Sequence, residues 1–388
     1  MTSPMHYVRR NKFHVLFFVI LSIATTLNGS SNECNFPAIF NFGDSNSDTG
    51  GLAAAFIQPP PPYGQTYFNR PAGRFSDGRL IIDFIANSFG LPFLSPYLDS
   101  LGANYSYGGN FATASATIKL PPIILPQLPG LSPFFLDIQS AQFTQFKART
   151  QFIKQQGGVF ASLMPKQEYF QEALYTIDIG QNDLSGAFFL GKTIQQVNAA
   201  VPEIVKSFSI NVKALYILGA RSFWIHNTGP LGCIPYISLV FILAQRDQYG
   251  CAKQYNEVAQ NFNQQLKEVV DQLRVELIQS TIIYVDIYSV KYSLFSNPTK
   301  FGFEQPLVTC CGYGGEYNYN TSAGCGESID MNGSRVFVGS CDNRPTRVIW
   351  DGIHFTEAAN KYVFDEISTG AFSDPPIPLN MACHKTST

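Results

Sequence analysis

Three side chains of this sequence have the types and spacing to open an acyl bond. Ser45 lies in the octet GDSNSDTG, Gly43 to Gly50, directly after the apolar run PAIFNF, where a buried strand would break into a tight turn and present a hydroxyl. Near the other end, DGIHFT sets Asp351 and His354 three residues apart. A serine hydroxyl is a poor nucleophile until an imidazole takes its proton, and that imidazole must be held in one tautomer by a third group. Ser45 is therefore the expected nucleophile, His354 the general base and then acid, and Asp351 the orienter. Of the five histidines, His6 and His14 fall in what reads as a leader, His384 lies in the polar tail CHKTST, and His226 ends the apolar run SFWIH. His354 alone is expected to have an acid partner placed to fix its tautomer. The blander reading of each fragment is an ordinary turn, since Gly, Asp and Ser favour turns and DxxH arises by chance.

A carbonyl under attack develops negative charge and needs preorganised donors, so an oxyanion hole is expected too. In ALYTIDIGQNDL the run 173–179 reads as a buried strand ending in GQND, which would bring Asn182 to the same sheet edge as Ser45. In NYSYGGNFATASATI the small residues from Gly108 to Ala116 would let backbone N–H groups approach a ligand. An Asx turn and a tightly packed loop are the competing readings of these two segments.

These residues need a scaffold, and apolar runs alternate with helical periodicity along the chain. Strands are expected at 37–42, 174–179, 222–227 and 281–287, and helices near 79–89, 138–156, 193–218 and 252–277. A last helix follows His354, with Thr356 as its cap. Such alternation predicts one large α/β domain with a parallel sheet covered on both faces, whose ligands bind beyond the carboxyl ends of the strands. The Gly-, Tyr- and Cys-rich segment 302–345 reads as a disulfide-pinned loop, and lying over the site is its hypothesised placement.

The 388 residues are 45% hydrophobic and 14% charged, with a net charge of −2, which argues against a nucleic-acid partner. The 33 phenylalanines and 19 tyrosines read first as core, and only second as the lining of an acyl pocket. Arg9, Arg10 and Lys12 precede the apolar stretch Val15 to Leu27, too short to span a bilayer, so residues 1–30 read as a secretory signal peptide and 31–388 as the working domain, with no transmembrane anchor. All eight cysteines lie after that leader, and an even count on an oxidising route favours disulfides: Cys233 with Cys251, and bridges within the cluster 310–341. Sequons at Asn104, Asn320 and Asn332 agree with secretion.

Taken together, GDSNSDTGG, the NFATASATI block, IGQND and DGIHFT, in that order and at these separations, resemble the four signature blocks of plant GDSL-type esterases/lipases within the SGNH hydrolases. The likeness runs from about residue 36 to 370, and PPYGQTYFNRPAGRFSDGRLIIDFIA and NTGPLGC extend it. FATASATI is most similar to the branch holding early-nodulin-type esterases and proteins once described as fucosidases. The resemblance implies a single-domain three-layer α/β/α sandwich with a parallel, flavodoxin-like sheet, and hydrolysis of acetyl or short to medium acyl esters of sugars, specialised metabolites or lipids. It implies no cofactor and no metal, and an extracellular setting in the apoplast, the cell wall or the vacuole. Its site residues map onto Ser45, Asp351 and His354, with Ser45, Ser115 and Asn182 as oxyanion donors. Position 115 departs from the pattern, because that second block usually has glycine there; the N–H survives if the local φ suits a residue with a Cβ.

Rival chemistries fare less well on the residues. An α/β-hydrolase of the GxSxG kind does not match GDSNS, and no HExxH or paired-histidine motif suggests a metallohydrolase. A glycosidase needs two carboxylates, and Asp44 and Asp48, which flank Ser45, read more simply as turn and cap residues. Acyl transfer to an alcohol by the same triad, or a non-catalytic protein binding glycans or lipids, are the remaining alternatives.

Overall fold

The structure is a computed structural model that describes residues 1–2, 33–124, 132–331 and 333–385. Apart from its first two residues the expected leader 1–30 lies outside the described residues, as does the sequon at Asn332. By contacts the chain divides into Met1–Asn32 and Glu33–Thr388, and the elements described belong to the second unit.

Among the described residues eight strands follow one another: β1 Ile39–Gly43, β2 Gly108–Asn110, β3 Leu174–Asp178, β4 Ser222–His226, β5 Thr281–Val285, β6 Ser328–Met331, β7 Ser334–Phe337 and β8 Ser373–Asp374. Six of them form one sheet in the order β2-β1-β3-β4-β5-β8, and β6 pairs with β7 in a separate hairpin. The first five are parallel, in the flavodoxin-like arrangement, and only the two-residue β8 runs antiparallel, at the edge. Every residue of β1, β3 and β4 is buried, which is why these strands read as continuous apolar runs rather than alternating ones.

Alternate strand residues feed two cores. Phe40, Phe42, Tyr175, Phe223 and Ile225 face one side, where Phe143, Phe208, Val258 and Phe262 project from the helices Leu136–Gln156, Ile194–Ile217 and Lys253–Glu276. Ile39, Leu174, Trp224 and Ile283 face the other, against Ile82, Val290 and Val363 of the helices Ile81–Ser88, Ile287–Ser296 and Glu357–Ser368. The result is the three-layer α/β/α sandwich. Much of the aromatic content is spent here: Phe40 alone lies 5.1 Å from Phe143, 5.2 Å from Phe170 and 5.3 Å from Tyr175. Such ring pairs contribute about 0.5–1.5 kcal/mol each beyond area burial.

The small-residue segment from Gly108 to Ala116, read as a source of backbone N–H donors with a tightly packed loop as the competing reading, opens with β2. Its register sets Gly108 opposite Ile39, and a Cβ on Gly108 would stand 1.9 Å from the Ile39 carbonyl oxygen, so a pattern of side chains could not have announced this strand. Thr356 caps the last helix by accepting the Ala359 N–H. Four disulfides join Cys233 to Cys251, Cys310 to Cys341, Cys311 to Cys325, and Cys34 to Cys383 across 349 positions of sequence. Among the described residues no helix is long and apolar enough to cross a membrane.

Candidate active site

The carboxyl ends of β1, β3 and β4 converge, and the turn after β1 is held from several directions. Gly43 donates its N–H to Gln139 Oε1 at 2.9 Å, and its carbonyl accepts from Gln139 Nε2 at 2.7 Å and from the Thr113 N–H at 3.2 Å. A Cβ on Gly43 would lie 2.4 Å from the Asp178 carbonyl oxygen, so only glycine lets the strand end so close to β3. Asp44 accepts from the Asn46 N–H at 3.0 Å and from Asn46 Nδ2 at 2.9 Å, closing an Asx turn around Ser45, which is buried but for 5%. Asp48 accepts four backbone N–H groups, from Gly50, Gly51, Leu52 and Ala114 at 2.5–3.0 Å. It therefore caps the short helix Gly51–Ala55 and ties the first signature block to the second. Asp44 and Asp48 are thus occupied as turn and cap acceptors.

The pair at the other end is built on a loop. Asp351 Oδ2 lies 2.7 Å from His354 Nδ1 and also accepts the Tyr63 hydroxyl at 2.7 Å, while Oδ1 accepts the N–H groups of Ile353 at 3.0 Å and His354 at 2.8 Å. Burial alone would raise the Asp351 carboxyl, but the His354 ring and these donors hold it below its usual range. The ring of His354 lies 5.3 Å from that of Phe75. Cys310, Cys311 and Cys325 pack with Tyr63 and Trp350, so the cystine-rich segment buttresses the residues that flank Asp351. Tyr236, which bonds the Gly352 carbonyl through its N–H at 3.1 Å, lies 6.0 Å ring to ring from Tyr319 of that segment.

One expectation fails. His354 is not the only histidine with an acid partner: His226 Nδ1 lies 3.0 Å from Asp178 Oδ2, with the ring 4% exposed and its Nε2 meeting no partner among the described residues. The partners are 48 residues apart and meet because β3 and β4 are neighbours in register, Ile177 beside Ile225, which no local spacing reveals. His384 is far from either pair, since its N–H bonds Ser222 Oγ at the opposite end of β4.

Ser115 sits at φ +64°, the left-handed region that glycine enters freely and that costs a residue with a Cβ about 1–2 kcal/mol. Its neighbours' N–H groups are engaged, Thr113 with Gly43, Ala114 with Asp48 and Ala116 with Thr113, whereas the Ser115 N–H meets no acceptor among the described residues. Asn182 stands in the first turn of the helix Gln181–Phe189, and its Nδ2 donates to the Ala116 carbonyl at 3.1 Å. Beside it, Asp183 accepts from the N–H groups of Ile118 and Lys119 at 2.8 and 3.1 Å, and burial pushes its carboxyl up to about 7. The IGQND block and the NFATASATI block are therefore one hydrogen-bonded unit. Neither Tyr63, though it lies in the PPYGQ string, nor Gln139 was singled out for a role in the sequence, and each acts through a partner more than 90 positions away.

Residues 39–367 match the profile of the GDSL-like lipase/acylhydrolase family. The chain belongs to this family. An enzyme named simply an esterase, from Hevea brasiliensis, is 60% identical over 385 residues, covering 99% of this chain and 98% of that one. The GDSL esterase/lipase ENOD8 of Medicago truncatula is 59% identical over 95% of each chain, and alpha-L-fucosidase 3 of Arabidopsis thaliana is 50% identical over 90% of this chain and 95% of its own. These relatives fall in the branch to which FATASATI points. As a GDSL-type family member the chain is an ester hydrolase of the esterase/lipase class, acting on small-molecule esters. Of its sequons, Asn104 is exposed and Asn320 half-buried.

Proposed function

We propose that this enzyme is a secreted serine esterase that hydrolyses carboxylic esters through an acyl-enzyme on Ser45. The observation that carries the reading is the 2.7 Å contact of His354 Nδ1 with Asp351 Oδ2, which fixes the ring so that Nε2 is its remaining basic atom. In this reading Ser45 Oγ adds to the ester carbonyl carbon while its proton passes to His354 Nε2, and Asp351 stabilises the imidazolium. The developing oxyanion takes hydrogen bonds from the backbone N–H groups of Ser45 and Ser115 and from Asn182 Nδ2. Collapse breaks the carbonyl–alkoxy bond, and His354 returns the proton to the leaving alcohol. Water then repeats the sequence on the acyl-serine, releasing the acid and restoring Ser45.

The substrates proposed are acetyl or short to medium acyl esters of sugars, specialised metabolites or lipids. Secretion is supported by the basic and then apolar N-terminal stretch and by eight cysteines paired in four disulfides, which fit an oxidising route to the apoplast, cell wall or vacuole. On that route Asn104, Asn320 and Asn332 are the proposed glycosylation sites, and residues 1–30 the cleaved leader. Ser45→Ala is expected to abolish turnover of p-nitrophenyl acetate, butyrate and palmitate and to leave the melting temperature nearly unchanged. A collapse in stability would instead mark Ser45 as a structural residue.

A further inference from the structure

Outside the proposed triad, one loop touches both the acid and the base. Residues 60–76 bring three groups against the Asp351–His354 pair: the Tyr63 hydroxyl donates to Asp351 Oδ2 at 2.7 Å, the Phe75 ring lies 5.3 Å from the His354 ring, and Ser76 Oγ donates to the Phe355 carbonyl at 3.0 Å. The loop is itself pinned, since the Tyr63 N–H bonds the Pro60 carbonyl at 3.1 Å and the Gly64 N–H bonds the Ser76 carbonyl at 2.9 Å. The Tyr63 ring is buried and meets Trp350 edge-on at 5.8 Å and Phe75 at 6.1 Å. The cystine-rich segment closes on the same loop: a Cβ on Gly326, next to Cys325, would lie 2.4 Å from the Pro61 carbonyl oxygen. A tyrosine has only two side-chain torsions, so a ring packed in this way fixes where its hydroxyl points. The oxygen it meets, Asp351 Oδ2, is the same one that holds His354 Nδ1 at 2.7 Å.

We propose that Tyr63 is a positioning residue of the ester-cleaving reaction: its hydroxyl holds Asp351 Oδ2 in line with His354 Nδ1 and draws on the negative charge with which that carboxylate steadies the imidazolium. A hydroxyl bonded to a carboxylate makes a charge-assisted bond, and two donors on one oxygen divide its charge between them. Tyr63 thereby sets both the direction of the His354 ring and how tightly that ring keeps the proton it must return to the leaving alcohol. The titratable groups around this oxygen are His354, Tyr63 and, from the cystine-rich segment, Tyr319 toward Asp351 and Glu327 toward Tyr63. Burial first, and then the Asp351 charge, push the Tyr63 phenol well up, so it stays a donor throughout the neutral range.

The proposal rests on the reading of Asp351 and His354 as the acid–base pair, and the two fail separately: wild-type kcat in His354→Ala would sink that reading, whereas the Tyr63 variants test only this one. Tyr63→Phe keeps the ring and removes the donor. It should lower kcat about 10-fold with KM unchanged, less than the roughly 100-fold that follows a misplaced reacting group, because two backbone N–H groups still hold Asp351 Oδ1. The acidic limb of its kcat/KM profile should move to higher pH, since the relieved carboxylate holds the imidazolium more tightly. Tyr63→3-fluorotyrosine, introduced at that position alone, carries a more acidic phenol and should move the limb the other way. Added to Asp351→Asn, Tyr63→Phe should cost no further activity, because its effect passes through that carboxylate. A loss of kcat with the limb in place would reduce Tyr63 to packing and overturn the proposal, as would wild-type kcat in Tyr63→Phe or its full loss repeated on Asp351→Asn. Should Tyr63→Phe fail to fold, the 3-fluorotyrosine variant decides: a limb at lower pH than wild type supports the proposal, and a limb at the wild-type position overturns it.

Discussion

The described residues hold two Asp–His pairs of nearly equal geometry, Asp351–His354 at 2.7 Å and Asp178–His226 at 3.0 Å, and their surroundings separate them. The first is local, three residues apart on a loop after the sheet, with its aspartate bonded by Tyr63 and two backbone N–H groups. The second bridges two central strands, and the Asp178 carbonyl also accepts the Asp44 N–H at 3.1 Å. The His354 side chain keeps 11% of its surface exposed, whereas the His226 side chain keeps 4%, its Nε2 sealed. An acid partner fixes a histidine's tautomer but does not make it a base. The free ring nitrogen must also reach a substrate. By that measure the less buried loop pair suits proton transfer, and the strand pair, with its free ring nitrogen sealed, does not.

The comparison breaks most visibly in the histidines themselves. His354→Ala is expected to lower kcat by about four orders of magnitude, as loss of a triad member does. His226→Ala should lower it far less and should lower the melting temperature instead, because it strips Asp178 of its partner. Kinetics and thermal melts of the two variants decide the matter, and the reverse ranking in kcat would move the base to His226.

A smaller effect sharpens the neighbourhood of the loop pair. Asn182→Ala should cut kcat by roughly 100- to 1,000-fold if Nδ2 donates to the oxyanion. A change confined to KM would make Asn182 a binding residue.

The smallest effect concerns Asp183, a carboxylate whose partners are backbone N–H groups rather than a histidine. Its pKa is raised from 3.8 to about 7 by burial, so between those values the native state holds a proton that the unfolded chain has released. Its contribution to stability is therefore full below about pH 4 and falls as pH rises toward 7. The melting temperature of Asp183→Asn relative to wild type should climb across that window, and an offset constant in pH would contradict the assigned shift.

Much of this was legible in the sequence because it is local. Buried parallel strands announce themselves as apolar runs, Thr356 and EAANKYVFDEI mark a capped helix, and Asp351 and His354 are neighbours in the chain. What depends on register was not legible. β2 begins with two glycines that leave no pattern, β8 is two residues long, and the Asp178–His226 contact exists only because β3 lies beside β4. The contact of Tyr63 with Asp351 was missed for the same reason: a tyrosine in a proline-rich loop looks like a surface residue until the fold turns it inward. Ser115 is the intermediate case. The sequence identified the position where the pattern lapses, and only the backbone gave it a φ of +64°.

The most direct test of the central claim is to treat the disulfide-bonded protein with a serine-directed organophosphonate, measure its intact mass and map the adduct, alongside turnover of p-nitrophenyl acetate. One adduct, on Ser45, with turnover lost in proportion to its formation, is the predicted result. A folded protein that turns over the ester yet carries its adduct elsewhere, or that is never labelled, would contradict an acyl-enzyme on Ser45.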